Sequence, residues 1–370
     1  MKPILVTGAN GFVGKNLILE LKNRGYGEIF AYDVDSTMEQ LDMFCASCGF
    51  VFHLAGVNRP KEEAEFMEGN FGFTSTLLNT LKKHGNQAPV LITSSIQAAL
   101  DNPYGRSKKA GEDLLFQYGA HTGVKVFVYR LPNVFGKWCR PNYNSVVATF
   151  CHNIARGLPI TIHDPNVDMQ LVYIDDVVDA LIRAMEGDAC MEGDYCCVPV
   201  VHGAKLGEIA ARIEGFYESR KTLRVPDLSD DFTRKLYATY LSYLPEDAFS
   251  YGLTTHKDQR GSFAEVLKMQ GFGQVSVNIS KPHIVKGNHW HHTKNEKFLV
   301  VSGHGVIRFR KPGGTEVLEY AVSADRLMVV DIPVGYTHNI ENLGDCDMVT
   351  LMWASEEFDP EKADTYYLEV

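Results

Sequence analysis

The sequence predicts an α/β domain built on a doubly wound parallel sheet, followed by an all-β domain of jelly-roll barrel type. Three observations carry that expectation. Residues 3–20, "PILVTGANGFVGKNLILE", run from a short apolar strand through a glycine-rich turn into helical periodicity. Beyond about residue 243 the pattern changes to short strands at regular intervals, "QVSVNIS", "EKFLVVSG", "GVIRFR", "LMVVDIP" and "MVTLMWA". Between the two, "YLPEDAFSYGLTTHKDQRGSF" gathers proline, glycine and polar residues. The expected domains are 1–243 and 254–370, with 244–253 as linker.

Composition agrees with this division. A chain of 370 residues, 45% hydrophobic and 22% charged, is long enough for two cores. Its net charge of -10 argues against a general nucleic-acid or anionic-membrane surface, and leaves room for a local basic pocket. No apolar run has the roughly 18 residues of a membrane span, and the strand-like "ILV" follows at once on the first residues, so a cytoplasmic protein is expected. The eight cysteines lack a disulfide framework; Cys45 and Cys48 form a lone CxxC, and this pair and the adjacent Cys196 and Cys197 read as packing residues.

The elements follow in order. Gly8 allows the tight turn after the first strand, Gly11 lets the backbone approach a pyrophosphate, and Gly14 lets helix and strand pack closely, so a phosphate meets the positive helix end. This is a Rossmann-like opening. Its spacing, GxxGxxG, resembles the short-chain dehydrogenase/reductases, in particular the extended branch acting on nucleotide sugars. The second strand, "EIFAYDVD", places Asp33 where such folds put an acid on the ribose hydroxyls, which favours NADH over NADPH. The buried strand "FVFHLAG" resembles the family segment beside the cofactor, and Asn70 follows at a matching position.

"VLITSSIQAALDNPYGRSKKAGEDLL" carries the chemistry. Tyr104 and Lys108 stand four apart on one helix face, where an ammonium can lower the phenol's pKa and hold the nicotinamide ribose. Ser95 matches the family's catalytic hydroxyl, with Ser94 as the alternative. The resemblance implies catalysis by Ser95, Tyr104 and Lys108. It implies NAD(P)H contacts at Gly8, Asn10, Gly11, Phe12, Val13, Gly14, Asp33, His53, Leu54, Ala55, Gly56, Asn70, Tyr104 and Lys108. Further along, "VYRLPNVFGKWCRPNYNSV" resembles the segment shaping the sugar-nucleotide pocket, where Asn133, Lys137 and Arg140 are expected to meet the diphosphate. In "QLVYIDDVVDAL", Asp175 and Asp176 are expected to cap a helix, and the family's nearby arginine is absent.

In the all-β part, His289, His291 and Glu296 follow HxH(x)4E, with His338 in "PVGYTHNIEN". In a strand, positions 289 and 291 share a face, so both imidazoles can reach one metal while Glu296 adds an anionic oxygen and His338 a fourth ligand; three imidazoles and a carboxylate suit zinc, with iron, nickel or manganese as the alternatives. His292 points the other way. Both stretches resemble the two cupin motifs, although His283 and Leu327 stand where each expects a leading glycine. "DQRGSFAE" and "KGNHWH" are similar to stretches lining the sugar site of deoxysugar 3,5-epimerases. Tyr336 is a candidate proton donor beside the metal motif, with a core role as the alternative.

Over nearly its whole length the chain resembles the bifunctional capsular-polysaccharide enzymes of the CapF type, an extended reductase joined to a cupin. That implies a cytoplasmic homodimer acting on a UDP-activated deoxy amino sugar in the route to UDP-N-acetyl-L-fucosamine. C3 of a UDP-2-acetamido-2,6-dideoxy-4-hexulose is epimerised by the cupin, and C4 is then reduced to give UDP-2-acetamido-2,6-dideoxy-β-L-talose. Two other readings stay open: a cupin that only binds or dimerises around a structural metal, and a first domain that recycles bound NAD as an epimerase or dehydratase.

Overall fold

Strands Ile4–Thr7 and Phe50–His53 are buried along their whole lengths, as continuous apolar runs must be when a parallel sheet is covered on both faces. The computed structural model describes residues 2–359, Glu361 and 363–370. Seven strands form the first sheet, in the order Ile29–Tyr32, Ile4–Thr7, Phe50–His53, Val90–Ser95, Val126–Leu131, Tyr195–Cys196 and Met191–Glu192. All pairings are parallel except the last. The chain leaves Ile4–Thr7 for one edge and returns on its other side, so the strand order reverses beside the glycine turn, where such sheets open a crevice for ligands.

Helices cover both faces of this sheet. Leu17 and Leu21 of helix Phe12–Asn23 and Val177 and Leu181 of helix Ile174–Met185 join one apolar cluster. Leu41, Leu77, Leu81 and Leu115, from helices Met38–Ser47, Phe73–Lys83 and Pro103–Thr122, join the other. Cys45 and Cys48 lie in this second cluster, where burial pushes their thiols up to about 12 and about 11, and Cys196 lies in the first. Packing accounts for all three. Among the described residues, no helix is long and apolar enough to cross a membrane.

The all-β part has two sheets. One runs Arg224–Val225, Gly261–Met269, Gly273–Ser280, Met348–Ala354, Glu296–Ser302 and Val329–Ile332, with Thr255–Asp258 added on Gly261–Met269. The other runs Val317–Ser323, His304–Arg310, Thr337–Asn342, Val285–Trp290 and Tyr366–Tyr367. Phe298 and Val300 from the first and Ile307, Phe309 and Ile340 from the second share one apolar core.

The compact units differ from the expected single crossing near residue 244. One comprises Met1–Glu214 and Asp231–Pro245, and the other Gly215–Asp230 and Glu246–Val370. The reason is local: strand Arg224–Val225 pairs in parallel with Gly261–Met269, and Lys268 N donates to Leu223 O at 2.7 Å.

Candidate active site and metal centre

The glycine turn is built as its residue types require. Gly8 has φ +69, and a Cβ there would come within 2.7 Å of Ala55 N. A Cβ on Gly14 would overlap the carbonyl oxygens of Gly8 and Ala9, so helix and turn touch through bare backbone. Helix Phe12–Asn23 starts with no side-chain cap, which leaves its first N–H groups free for an anion. Asp33 lies at this turn. Its carboxylate accepts from Asn10 N at 2.6 Å and from Val34 N at 2.8 Å.

The His53 side chain, on the strand expected beside the cofactor, is turned into the protein. The buried ring lies between the Thr7 hydroxyl, 2.7 Å from Nδ1, and the Thr74 hydroxyl, 2.8 Å from Nε2. Desolvation, helped by the Lys108 charge, lowers its pKa to about 3, so the ring stays neutral and ties strand to helix. Asn70 lies on a π-helical turn, Met67–Gly72, of the kind that often marks functional positions. Its amide accepts from Val57 N and donates to Val57 O and to Ser107 Oγ, all at 2.9 Å.

Helix Pro103–Thr122 carries Tyr104 and Lys108. Asn102 caps it by accepting from Gly105 N at 2.8 Å, and a proline stands at its start. A Cβ on Gly105 would overlap Gln97 O, so the helix start lies hard against the turn that follows Ser95. The Ser95 hydroxyl lies beside the Tyr104 phenol; desolvation raises the phenol's pKa and Ser95 opposes the rise. Lys108 Nζ donates to Thr93 O at 3.3 Å and stands 5.9 Å from the Tyr104 ring centroid. Desolvation brings its pKa down to about 8, against an opposing pull from Glu112. The two serines separate cleanly. Ser94 is buried and donates to Glu112 Oε1 at 2.6 Å, whereas Ser95 faces Tyr104, because successive residues of a strand point to opposite sides. Glu112, fully buried, also takes both arms of Arg130, at 3.0 and 2.6 Å.

The expected diphosphate residues are only partly available. Lys137 pairs with Asp175, and Asn133 donates to Gln170 O at 3.2 Å. Asp175 and Asp176 do not cap the helix Ile174–Met185. Tyr173 holds the cap position, the two acids sit in the first turn, and Asp176 pairs with Lys235 at 2.7 Å. Both still face the positive helix end.

In the all-β unit, His289, His291, Glu296 and His338 converge, with one ligand atom of each within 4.8 Å of all the others. His289 pairs in register with His338 across strands Val285–Trp290 and Thr337–Asn342, and a bulge between Gly287 and His289 turns the strand. His291 lies one residue past the strand, and its ring centroid is 5.0 Å from that of His289. Glu296 Oε2 is 3.5 Å from His291 Nε2 and 3.4 Å from His338 Nε2. Despite its desolvation, its carboxyl is held well below the usual range by these two imidazoles. His291 Nε2, His338 Nε2 and Glu296 Oε2 are buried with no hydrogen-bond partner among the described residues. Orphaned nitrogen and oxygen atoms aimed at one point fit a divalent cation. His292 turns away and packs on Trp290 and Tyr366. His283 has φ 60, the left-handed conformation that explains the glycine expected there. Tyr336 is half-buried on Phe309, a core position.

Nothing in the sequence points to Asp364. Its backbone oxygen is 2.5 Å from His291 Nδ1, and its carboxylate accepts from the N–H groups of His292, Thr293 and Lys294 at 2.9, 2.7 and 2.9 Å. It therefore fixes the orientation of the His291 ring and the turn behind it. No local motif surrounds it.

The NAD dependent epimerase/dehydratase family matches residues 4–195 of the 370, and the polysaccharide biosynthesis C-terminal domain matches residues 256–366. UDP-2-acetamido-2,6-beta-L-arabino-hexul-4-ose reductase of Pseudomonas aeruginosa is 45% identical over 363 residues, 98% of this chain and 97% of that protein. The crystal structure of the capsular polysaccharide assembling protein CapF from Staphylococcus aureus superposes with a TM-score of 0.94 at 53% identity, covering 99% of this chain and 100% of that one. A CapF structure with the inhibitor 3-isopropenyl-tropolone gives 0.90 at 49% identity, with both chains covered completely. By these full-length likenesses the chain belongs to the NAD dependent epimerase/dehydratase family, in the CapF-type branch that joins this fold to a polysaccharide biosynthesis C-terminal domain.

Proposed function

We propose that this chain is a bifunctional UDP-sugar enzyme. Its cupin-type second unit epimerises C3 of a UDP-2-acetamido-2,6-dideoxy-4-hexulose, and its first unit reduces the C4 ketone to give UDP-2-acetamido-2,6-dideoxy-β-L-talose. The observation that carries the reading is the presence in one chain of a Ser95, Tyr104 and Lys108 group beside a glycine turn and of a separate tetrad of metal-ligand type. The name of the relative from Pseudomonas aeruginosa supports the reductase half. The tropolone on CapF supports a metal, since its adjacent oxygens form a chelating pair.

When bound, the reduced nicotinamide supplies a hydride, and a divalent metal, zinc by its donor set, supplies positive charge. Tyr104 donates its phenolic proton to the C4 oxygen while the Ser95 hydroxyl holds that oxygen. Lys108 stabilises the phenolate left behind. The C4 ketone acidifies the C3 proton, whose loss and return on the opposite face inverts the centre; reduction then removes the ketone and traps the product. Asp33, already at the turn, disfavours a 2′-phosphate and so favours NADH over NADPH. Such a reaction belongs in the cytoplasm, where UDP-sugars and reduced cofactor are made, and a homodimer is the expected assembly.

The test uses the full chain and the 4-keto sugar in heavy water. Deuterium should enter C3 without reduced cofactor, and one NAD(P)H should be consumed per product once it is added. Reduction without label would leave the second unit a non-catalytic module. Turnover without net cofactor consumption would make the first unit an epimerase or dehydratase.

A further inference from the structure

That reading leaves the substrate's diphosphate short of partners. Lys137 is neutralised by Asp175, the Asn133 amide is spent on Gln170 O, and strand Asp168–Tyr173 reads DMQLVY, with no arginine. A diphosphate calls for planar cations able to hold two oxygens each.

Two guanidinium groups of the first unit are free. Arg59 and Arg140 have neither a carboxylate nor a carbonyl partner among the described residues, while the other arginines there are paired. They come from distant stretches, one after strand Phe50–His53 and the other after strand Asn133–Phe135, and meet at a single ring. Arg59 Cζ lies 6.0 Å and Arg140 Cζ 5.1 Å from the Tyr143 centroid. Each contact is only weakly stabilising at an exposed site, while two like charges drawn to one ring repel each other. An anion between them reverses that balance.

Both stretches are anchored by the reaction centre or the core. On the Arg59 side, Gly56 is so close to Lys108 that a Cβ would stand 2.9 Å from Nζ, and the Phe66 ring is 5.6 Å from that of Tyr104. On the Arg140 side, the buried Tyr243 hydroxyl donates to Cys139 O at 2.5 Å and to Gly136 O at 3.3 Å, fixing the backbone that leads to the arginine.

We propose that Arg59 and Arg140, held in place by Tyr143, clamp the diphosphate of the nucleotide sugar and replace the missing strand arginine. This rests on the nucleotide-sugar reading above.

The probe is UDP, titrated calorimetrically into the full chain at saturating reduced cofactor. Arg59→Ala and Arg140→Ala should each raise the Kd for UDP by about 10- to 100-fold, the loss expected for one charge-assisted pair, and Arg59→Lys should recover only part of it. Thermal melts should stay cooperative and cofactor affinity unchanged. Unaltered UDP binding by both alanine variants would overturn the clamp. So would weakened cofactor binding in place of weakened UDP binding, because the arginines would then serve the cofactor's phosphates. Failure of the underlying reading shows elsewhere, as absence of cofactor oxidation by the unaltered chain with the 4-keto sugar.

Discussion

Lys108 is subject to two opposing influences. Desolvation takes its pKa down to about 8, and the Glu112 carboxylate, one helical turn on, pushes it up. Because the folded value lies below the ordinary lysine value of about 10.4, the unfolded chain binds more protons between those two limits. Stability contributed by this group is therefore lowest below pH 8 and rises as pH climbs towards about 10.4. Catalysis runs the other way, since the ammonium is the useful form, and kcat/KM for reduction should fall above about pH 8. Glu112→Gln should move that alkaline limb to lower pH, read from a pH–rate profile; an unmoved limb would break the link between Glu112 and Lys108. Tyr104→Phe should lower reduction by about 10²- to 10⁴-fold and leave deuterium entry at C3 intact. Asp33→Ala should raise the ratio of kcat/KM with NADPH to that with NADH, because one repelling carboxylate is gone. The grouping of Tyr104, Lys108 and Ser95 was legible in the sequence because the three stand in short spacing on one strand and one helix. Arg59 with Tyr143, and Asp364 with His291, were not, since nothing local announces partners so far apart in the chain.

Elements fix these residues through contacts that a single methyl group can break. At Gly14 a Cβ would meet two carbonyl oxygens, so Gly14→Ala should cost about 1–3 kcal/mol in denaturant unfolding and weaken cofactor binding. Gly27 is the control. A Cβ there meets nothing within 4 Å, and Gly27→Ala should leave both measurements unchanged or raise stability slightly. The strands of the candidate metal centre depend on residues 364–370. Asp364 caps the turn after His291, Leu368 N donates to Asn288 O at 2.9 Å, and Thr337 bonds to Leu368 O beside His338. Asp364→Ala should lower metal affinity by about 10- to 100-fold, measured by chelator competition on the full chain, with Asp364→Asn retaining more. The grouping of His289, His291, Glu296 and His338 was readable as two spaced motifs, yet the bulge at Gly287 and the strand Tyr366–Tyr367 that pairs alongside His289 were not, because register is set by partners and not by the strand's own pattern.

The molecule as a whole keeps its two candidate centres in different units, so their activities should part. His338→Ala should lose the metal and C3 exchange together while still oxidising cofactor with a ketone already epimerised, measured by metal analysis and deuterium entry; normal exchange by a folded, metal-free variant would show that the metal does not carry the chemistry. The alternation of α/β and all-β architecture was legible from the change of period near residue 243. The assignment of residues 215–230 to the second unit was not, for a two-residue strand has no period to read. That interleaving bears on how the protein is made. On the ribosome, helix Asp231–Leu241, which completes the first unit, emerges only after residues 215–230, which belong to the second. At roughly 5–20 residues per second, strand Arg224–Val225 waits about 2–9 s for Gly261–Met269 to be synthesised. For those seconds the growing chain exposes a strand edge whose partner has not been translated, and a nascent-chain chaperone would find its opening there.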